Sequence, residues 1–164
     1  MTKLKKDLTV DIQRATIWDC PAIAELWGKM MKEVTPQELN LPADGKETER
    51  FLKSLTAGID LQTNSIFVAK SNFRIIGFIQ SYIYVWKFTP HLACFTDSLY
   101  VLDKFRHKGI GEALIQTMKT DTATKGAIVW DFTSVRPKVW EKKGYKTIMT
   151  VHRQMKGGAG NVKK

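Results

Sequence analysis

The run Leu99-Tyr100-Val101-Leu102-Asp103-Lys104-Phe105-Arg106-His107-Lys108-Gly109-Ile110-Gly111-Glu112-Ala113-Leu114 constrains this 164-residue chain more than any other stretch. It opens as an apolar, β-branched and aromatic strand end and passes through a charged connector. It then places apolar groups at Ile110, Ala113, Leu114, Thr117 (through its methyl) and Met118. The spacing i, i+3, i+4, i+7, i+8 is helical. A strand, a glycine-bearing turn and a helix in that order aim unpaired backbone N–H groups, and the positive end of a helix dipole, at whatever sits over the turn. Gly109 and Gly111 accept backbone angles that other residues avoid, and without a Cβ they let a bulky group approach the main chain. Arg106, His107 and Lys108 add positive charge at the same place. The segment reads as a cradle for a diphosphate. A Rossmann fingerprint would need a third glycine soon after Gly111, and a P-loop would need Gly-Lys-Ser/Thr; the sequence has neither.

Arg-x-x-Gly-x-Gly after a strand ending in Leu-Tyr-Val resembles the acyl-coenzyme A signature of the GCN5-related N-acetyltransferases (GNAT). Downstream, Val139-Trp140-Glu141-Lys142-Lys143-Gly144-Tyr145-Lys146 is similar to that family's aromatic-Tyr-Glu-Lys-x-Gly-Phe element. The resemblance implies an α+β fold, the GNAT (acyl-CoA N-acyltransferase) fold: a mixed central β-sheet of roughly six to seven strands flanked by about four helices. It implies one GNAT-like domain over residues 1–155, and the glycine and lysine content of 156–164 separately predicts a disordered tail there. The implied activity is acetyl transfer from acetyl-coenzyme A, as co-substrate, to a primary amine: a small amine or polyamine, or a protein lysine or N-terminus. Mapped residue by residue, the coenzyme would lie along Leu99, Tyr100 and Val101. Its diphosphate would sit over Arg106, His107, Lys108, Gly109, Ile110, Gly111 and Glu112. Trp140 would pack on the pantetheine arm or in the core.

Acyl transfer to an amine asks for three things of the protein. The amine, with a solution pKa of about 10.4, must lose a proton. The carbonyl oxygen needs a fixed donor as it gains charge. The thiolate leaves more readily with an acid nearby. By the resemblance, the donor is a backbone N–H in the Leu99–Val101 segment. Asp97 lies four residues before Val101, where some polyamine acetyltransferases carry a glutamate. Its strand neighbours Ala93, Cys94, Phe95 and Leu99 suggest burial that would raise its pKa and suit it as general base, directly or through water. The alternative is a solvent-facing or hydrogen-bonded strand residue. Where the family commonly has an acidic tyrosine this chain has Trp140, whose indole N–H donates a hydrogen bond but supplies no proton. Thr133 stands where an asparagine is often found. A non-catalytic module of the same fold, holding nucleic acid or a protein on a basic face, is therefore the alternative function, with nucleic acid the less favoured partner.

Charge is unevenly distributed. Residues 1–60 carry nine Lys/Arg against ten Asp/Glu, while the remainder carries seventeen against six, so the overall +10 belongs to the half with the cradle. Such a field draws anions of any kind. Glu33, Glu38 and Asp44 would suit a cationic acceptor, and Trp27 and Trp86 could line its pocket. Cys20 and Cys94 have no metal or disulfide spacing, His91 and His152 lack metal-spaced partners, and no metal is expected. No apolar run is long enough to span a bilayer, and Met1–Lys6 does not lead into a signal-peptide core, so a cytoplasmic protein, monomer or homodimer, is the expectation.

Along the chain, alternation over 8–14 predicts a half-buried strand. Asp19 and Pro21 predict the start of a helix with Ile23, Leu26, Trp27, Met30 and Val34 inward. A second helix is expected over about 48–57, ending near Gly58, with Phe51, Leu52 and Leu55 inward. Strands are expected at 66–70 and 75–85 around a short turn at 71–74, with Gly77 marking a bulge or a close approach. Further strands are expected at 93–101 and 127–132 and over 145–154, with helices at about 109–121 and 136–143.

Overall fold

The computed structural model describes residues 9–34, 46–60, 64–85 and 90–132, together with Glu141, Lys142 and Gly144. The chain divides into two compact units, Met1–Thr133 and Ser134–Lys164. In the first, the elements are β1 (Asp11–Arg14), α1 (Cys20–Val34), α2 (Lys46–Asp60), β2 (Asn64–Ser71), β3 (Arg74–Val85), β4 (Leu92–Val101), α3 (Ile110–Thr124) and β5 (Ala127–Phe132). The five strands form one sheet in chain order, antiparallel from β1 to β4, with β5 parallel to β4. The sheet is therefore mixed, as expected. Among the described residues there are five strands and three α-helices rather than six to seven and four. The further strand positions, 145–154, and the tail, 156–164, lie outside the described residues. Of the expected helix over 136–143 only Glu141 and Lys142 are described. There the Gly144 N–H donates to the Glu141 carbonyl at 3.0 Å, and Gly144 has a left-handed φ of +86°.

Side-chain alternation assigns the two faces of the sheet. Ile66 and Val68 of β2, Phe78 of β3 and Tyr100 of β4 join Ile23 and Leu26 of α1 and Leu55 of α2 in one core. Ser65, Phe67 and Ala69 alternate to the other face, where α3 buries Ile110, Leu114, Ile115 and Met118. Trp27 stacks on Phe51 with ring centroids 4.5 Å apart, so it joins α1 to α2 instead of lining a pocket. Asp19 does not cap α1 as the sequence suggests. It closes a tight turn before the helix, accepting from Thr16 N–H (2.9 Å) and Thr16 Oγ1 (3.0 Å), with Lys70 Nζ at 2.7 Å. Helix α2 runs through Gly58 to Asp60.

The β2–β3 connection is a two-residue turn with Asn72 at φ +50° and Phe73 at φ +62°. Such a mirror-image turn matches the strands' twist. The pairing register of β3 breaks once with each of its neighbours. Ala69 pairs with Gly77 and Lys70 with Ile75, so Ile76 is an extra residue beside Gly77. Gln80 pairs with Ser98 and Ser81 with Thr96, so Asp97 is an extra residue in β4.

Candidate active site

The bulge at Asp97 coincides with the end of pairing to β5. The last parallel pair is Thr96 with Phe132, and from Asp97 onward that edge of β4 has no strand partner among the described residues. Among the described residues, the segment expected to meet the coenzyme is therefore an open strand edge, one side of which still pairs with β3 as far as Gly77↔Val101. Close approach at that end is built in. A Cβ on Gly77 would lie 2.9 Å from the Tyr100 carbonyl oxygen and 3.1 Å from Val101 Cγ2. Tyr100 is buried, and Leu99 and Val101 are half-buried.

Beyond Val101 the chain takes a short 3-10 turn, Asp103–Phe105, and enters α3. His107 at φ +60° and Gly109 at φ +84°, ψ −2° are left-handed, and Ile110 begins the helix. A left-handed residue followed by a right-handed one turns successive N–H groups to the same side, the backbone concavity that holds anions. The first intrahelical bond is from Ala113 N–H to Gly109 C=O (3.0 Å), and among the described residues no side-chain cap is seen at Gly109. The N–H groups of Ile110, Gly111 and Glu112 thus stand outside the helical ladder. Gly111 faces Val101, since a Cβ there would meet only Val101 Cγ2, at 4.0 Å. His107 and Glu112 are exposed and Lys108 is half-buried. The turn and the open edge of β4 are therefore contiguous.

Arg106 departs from the expected role of a free cradle cation. Its Nη2 pairs with Glu33 Oε2 at 2.6 Å, its Nε donates to Val101 C=O at 2.8 Å, and its Nη1 reaches Asp103 at 3.3 Å. Glu33, expected near a cationic acceptor, is engaged by Arg106 and by Tyr100 Oη (2.6 Å). Burial and then this bond push the Tyr100 hydroxyl up to about 12.

Asp97 corrects another expectation. It is exposed, its carboxylate accepts from Ser98 Oγ at 3.1 Å, and the bulge lifts it out of the alternation that would have buried it. Sequence reasoning misses Asp131. It lies opposite Phe95 in the β4–β5 register and accepts from Tyr84 Oη at 2.7 Å. Burial, then Asp131, pushes the Tyr84 hydroxyl up to about 12. Tyr82 lies 6.4 Å from Tyr84 and 5.4 Å from Phe95, centroid to centroid, and burial and the Asp97 charge raise its hydroxyl as well. Four residues on from Phe78, Tyr82 shares the α1/α2 face of the sheet. An aromatic patch with two carboxylates thus adjoins the bulge. Only the residue type at 131 hints at it, since its partners lie 36 and 47 positions away in sequence. Trp140, Thr133, Trp86, Glu38 and Asp44 lie outside the described residues. Grooves of about 400 and 470 Å³ open elsewhere, one beside Trp18 and Phe73 and one beside Arg14 and Phe67, and neither is lined by residues 97–112.

A family model for the acetyltransferase (GNAT) domain matches residues 62–147, which span β2 through the turn, α3 and β5. The chain belongs to the GNAT family. GNAT proteins are N-acetyltransferases with acetyl-coenzyme A as co-substrate, and this chain is an N-acetyltransferase of that family. Solved structures share the GNAT fold. A GCN5-related N-acetyltransferase from Ralstonia eutropha JMP134 superposes with a TM-score of 0.76 at 16% identity, covering 91% of this chain and 100% of that one. A ribosomal-protein-alanine N-acetyltransferase from Brucella melitensis biovar Abortus 2308 gives 0.68 at 18% identity, covering 90% and 99%. An aminoglycoside N-acetyltransferase in complex with coenzyme A gives 0.69 at 17% identity, covering 94% and 100%. No curated protein matches the sequence. Among the described residues, no helix is long and apolar enough to cross a membrane.

Proposed function

We propose that this GNAT protein transfers an acetyl group from acetyl-coenzyme A to a cationic primary amine, on a small molecule, a polyamine or a peptide. The observation that carries the reading is the continuity of the open β4 edge with the uncapped start of α3. The N–H groups from Gly109 to Glu112 take the diphosphate, with His107 and Lys108 adding positive charge alongside. Leu99, Tyr100 and Val101 bind the pantetheine through the unpaired strand edge, and one N–H of this segment faces the thioester oxygen as charge builds on it. Residues 1–155 form one domain in this reading.

The acceptor lies over the face formed by Tyr82, Tyr84, Phe95, Asp97 and Asp131. Aromatic rings beside carboxylates favour an ammonium ion. Asp131, held by Tyr84, orients the cation. Asp97, exposed at the bulge and nearer to Leu99, takes the ammonium proton through water; the free amine then attacks the thioester carbonyl, the C–S bond breaks and coenzyme A leaves as its thiolate. Tyr84 and Tyr100 keep their protons at neutral pH and serve as fixed donors.

Calorimetry with acetyl-coenzyme A, followed by a thiol-release screen over small amines, polyamines and peptides, tests the reading. Saturable binding and amine-dependent thiol release are expected. Failure to bind, together with salt-sensitive binding to nucleic acid, would leave only the non-catalytic module.

A further inference from the structure

We propose that Glu33, in the last turn of α1, is a positioning residue for the coenzyme site. It acts through Arg106 and Tyr100 to hold the end of β4 and the turn into α3 in the shape that receives the diphosphate. The inference rests on the coenzyme reading proposed for this chain.

Both carboxylate oxygens of Glu33 are used. Oε1 accepts from Tyr100 Oη and Oε2 from Arg106 Nη2, each at 2.6 Å. Arg106 then donates Nε to the carbonyl of Val101, the last residue of β4, and Nη1 to Asp103 in the next turn. Its guanidinium carbon lies 5.2 Å from the centre of the Tyr100 ring. Each of these partners belongs to the chain itself. The Arg106 cation is thus engaged in joining α1, β4 and the 3-10 turn just ahead of Gly109, and the phosphates are left to the backbone N–H groups with His107 and Lys108 beside them. Glu33 and Arg106 lie 73 positions apart, so this tie fixes where α1 ends relative to the turn. A single pair with side chains 43% and 30% exposed would contribute little. A carboxylate gripped by two donors, one of them the ring beneath the guanidinium, forms a network whose members fail together. A guanidinium suits the role because its fork reaches several acceptors at once.

Calorimetry with coenzyme A on wild type, E33A, E33Q, R106A, Y100F and the E33A/R106A double variant tests this. E33A and R106A should each weaken binding about tenfold, and the double variant should be no weaker than the worse single one. R106A should leave the salt dependence of Kd unchanged, because the guanidinium does not meet the phosphates. Thermal midpoints without ligand monitor the fold, and Y100F, which removes one hydroxyl link, supplies an intermediate loss should E33A fail to fold. E33A binding within twofold of wild type, additive losses in the double variant, or a shallower salt dependence in R106A would each overturn the inference. A wild-type protein that takes up no coenzyme A would instead overturn the coenzyme reading itself.

Discussion

Gly77 holds the end of β4 in place by having no side chain. With the Tyr100 carbonyl 2.9 Å from where a Cβ would stand, Gly77→Ala must push β4 away or strain β3. Overpacking of this kind costs about 1–3 kcal/mol. Urea unfolding should show that loss, and calorimetry should show weaker coenzyme binding, because Leu99–Val101 move with the displaced backbone. The two carboxylates near the bulge should separate kinetically. Asp97→Asn should lower kcat by about 10²-fold with little change in acceptor KM, as expected for loss of a general base. Asp131→Asn should mainly raise acceptor KM, because Tyr84 then loses its anionic partner and the cation loses its counter-charge. Steady-state rates with an acceptor from the amine screen check both. An unchanged kcat in the first variant would move the proton transfer away from Asp97.

Helix α3 carries the glycine turn at one end and is anchored to the sheet at the other by Asp121. This carboxylate accepts from Ser65 Oγ (2.8 Å), Lys125 Nζ (3.0 Å) and Arg14. Burial alone would raise its pKa, but the Ser65 and Lys125 donors and the nearby Arg14 charge hold it below the usual carboxylate range. A folded pKa below the unfolded value of about 3.9 means the contribution is complete above that value and is lost as pH falls through the folded one. The difference in thermal midpoint between wild type and Asp121→Asn should therefore be full at about pH 7 and shrink below about pH 4, as measured by thermal denaturation across that range. Much of this framework is legible from short-range pattern. Alternation and turn residues place β5 at its observed limits and the turn at 72–73 between its strands, and the apolar spacing of α3 identifies the face it buries. Gly58 fails as a helix stop because a glycine inside a helix costs only about 1 kcal/mol, which packing readily offsets.

At the scale of the whole molecule, what the sequence hides is what depends on long-range pairing. Nothing local marks Asp97 as an extra residue. That role exists only because Gln80 and Ser81 choose Ser98 and Thr96 as partners. The destination of Arg106 is hidden likewise, since Glu33 meets it only after the sheet has brought α1 over β4. The motif locates the turn, but tertiary pairing decides which of its charges remain available to a ligand. The extra residue in β4 also makes this point of the chain tolerant of one lost residue as well as of changed chemistry. Removing codon 97 would set Thr96 and Ser98 side by side opposite Ser81 and Gln80, a regular ladder that keeps Leu99, Tyr100 and Val101 on their present sides. Removing two codons would send each to the opposite side, because a strand's side chains change sides with every residue. Saturation mutagenesis scored by coenzyme A capture should therefore find that many exchanges at position 97, and the one-codon deletion there, still capture the coenzyme, whatever they do to turnover, while no two-codon deletion at 96–98 survives.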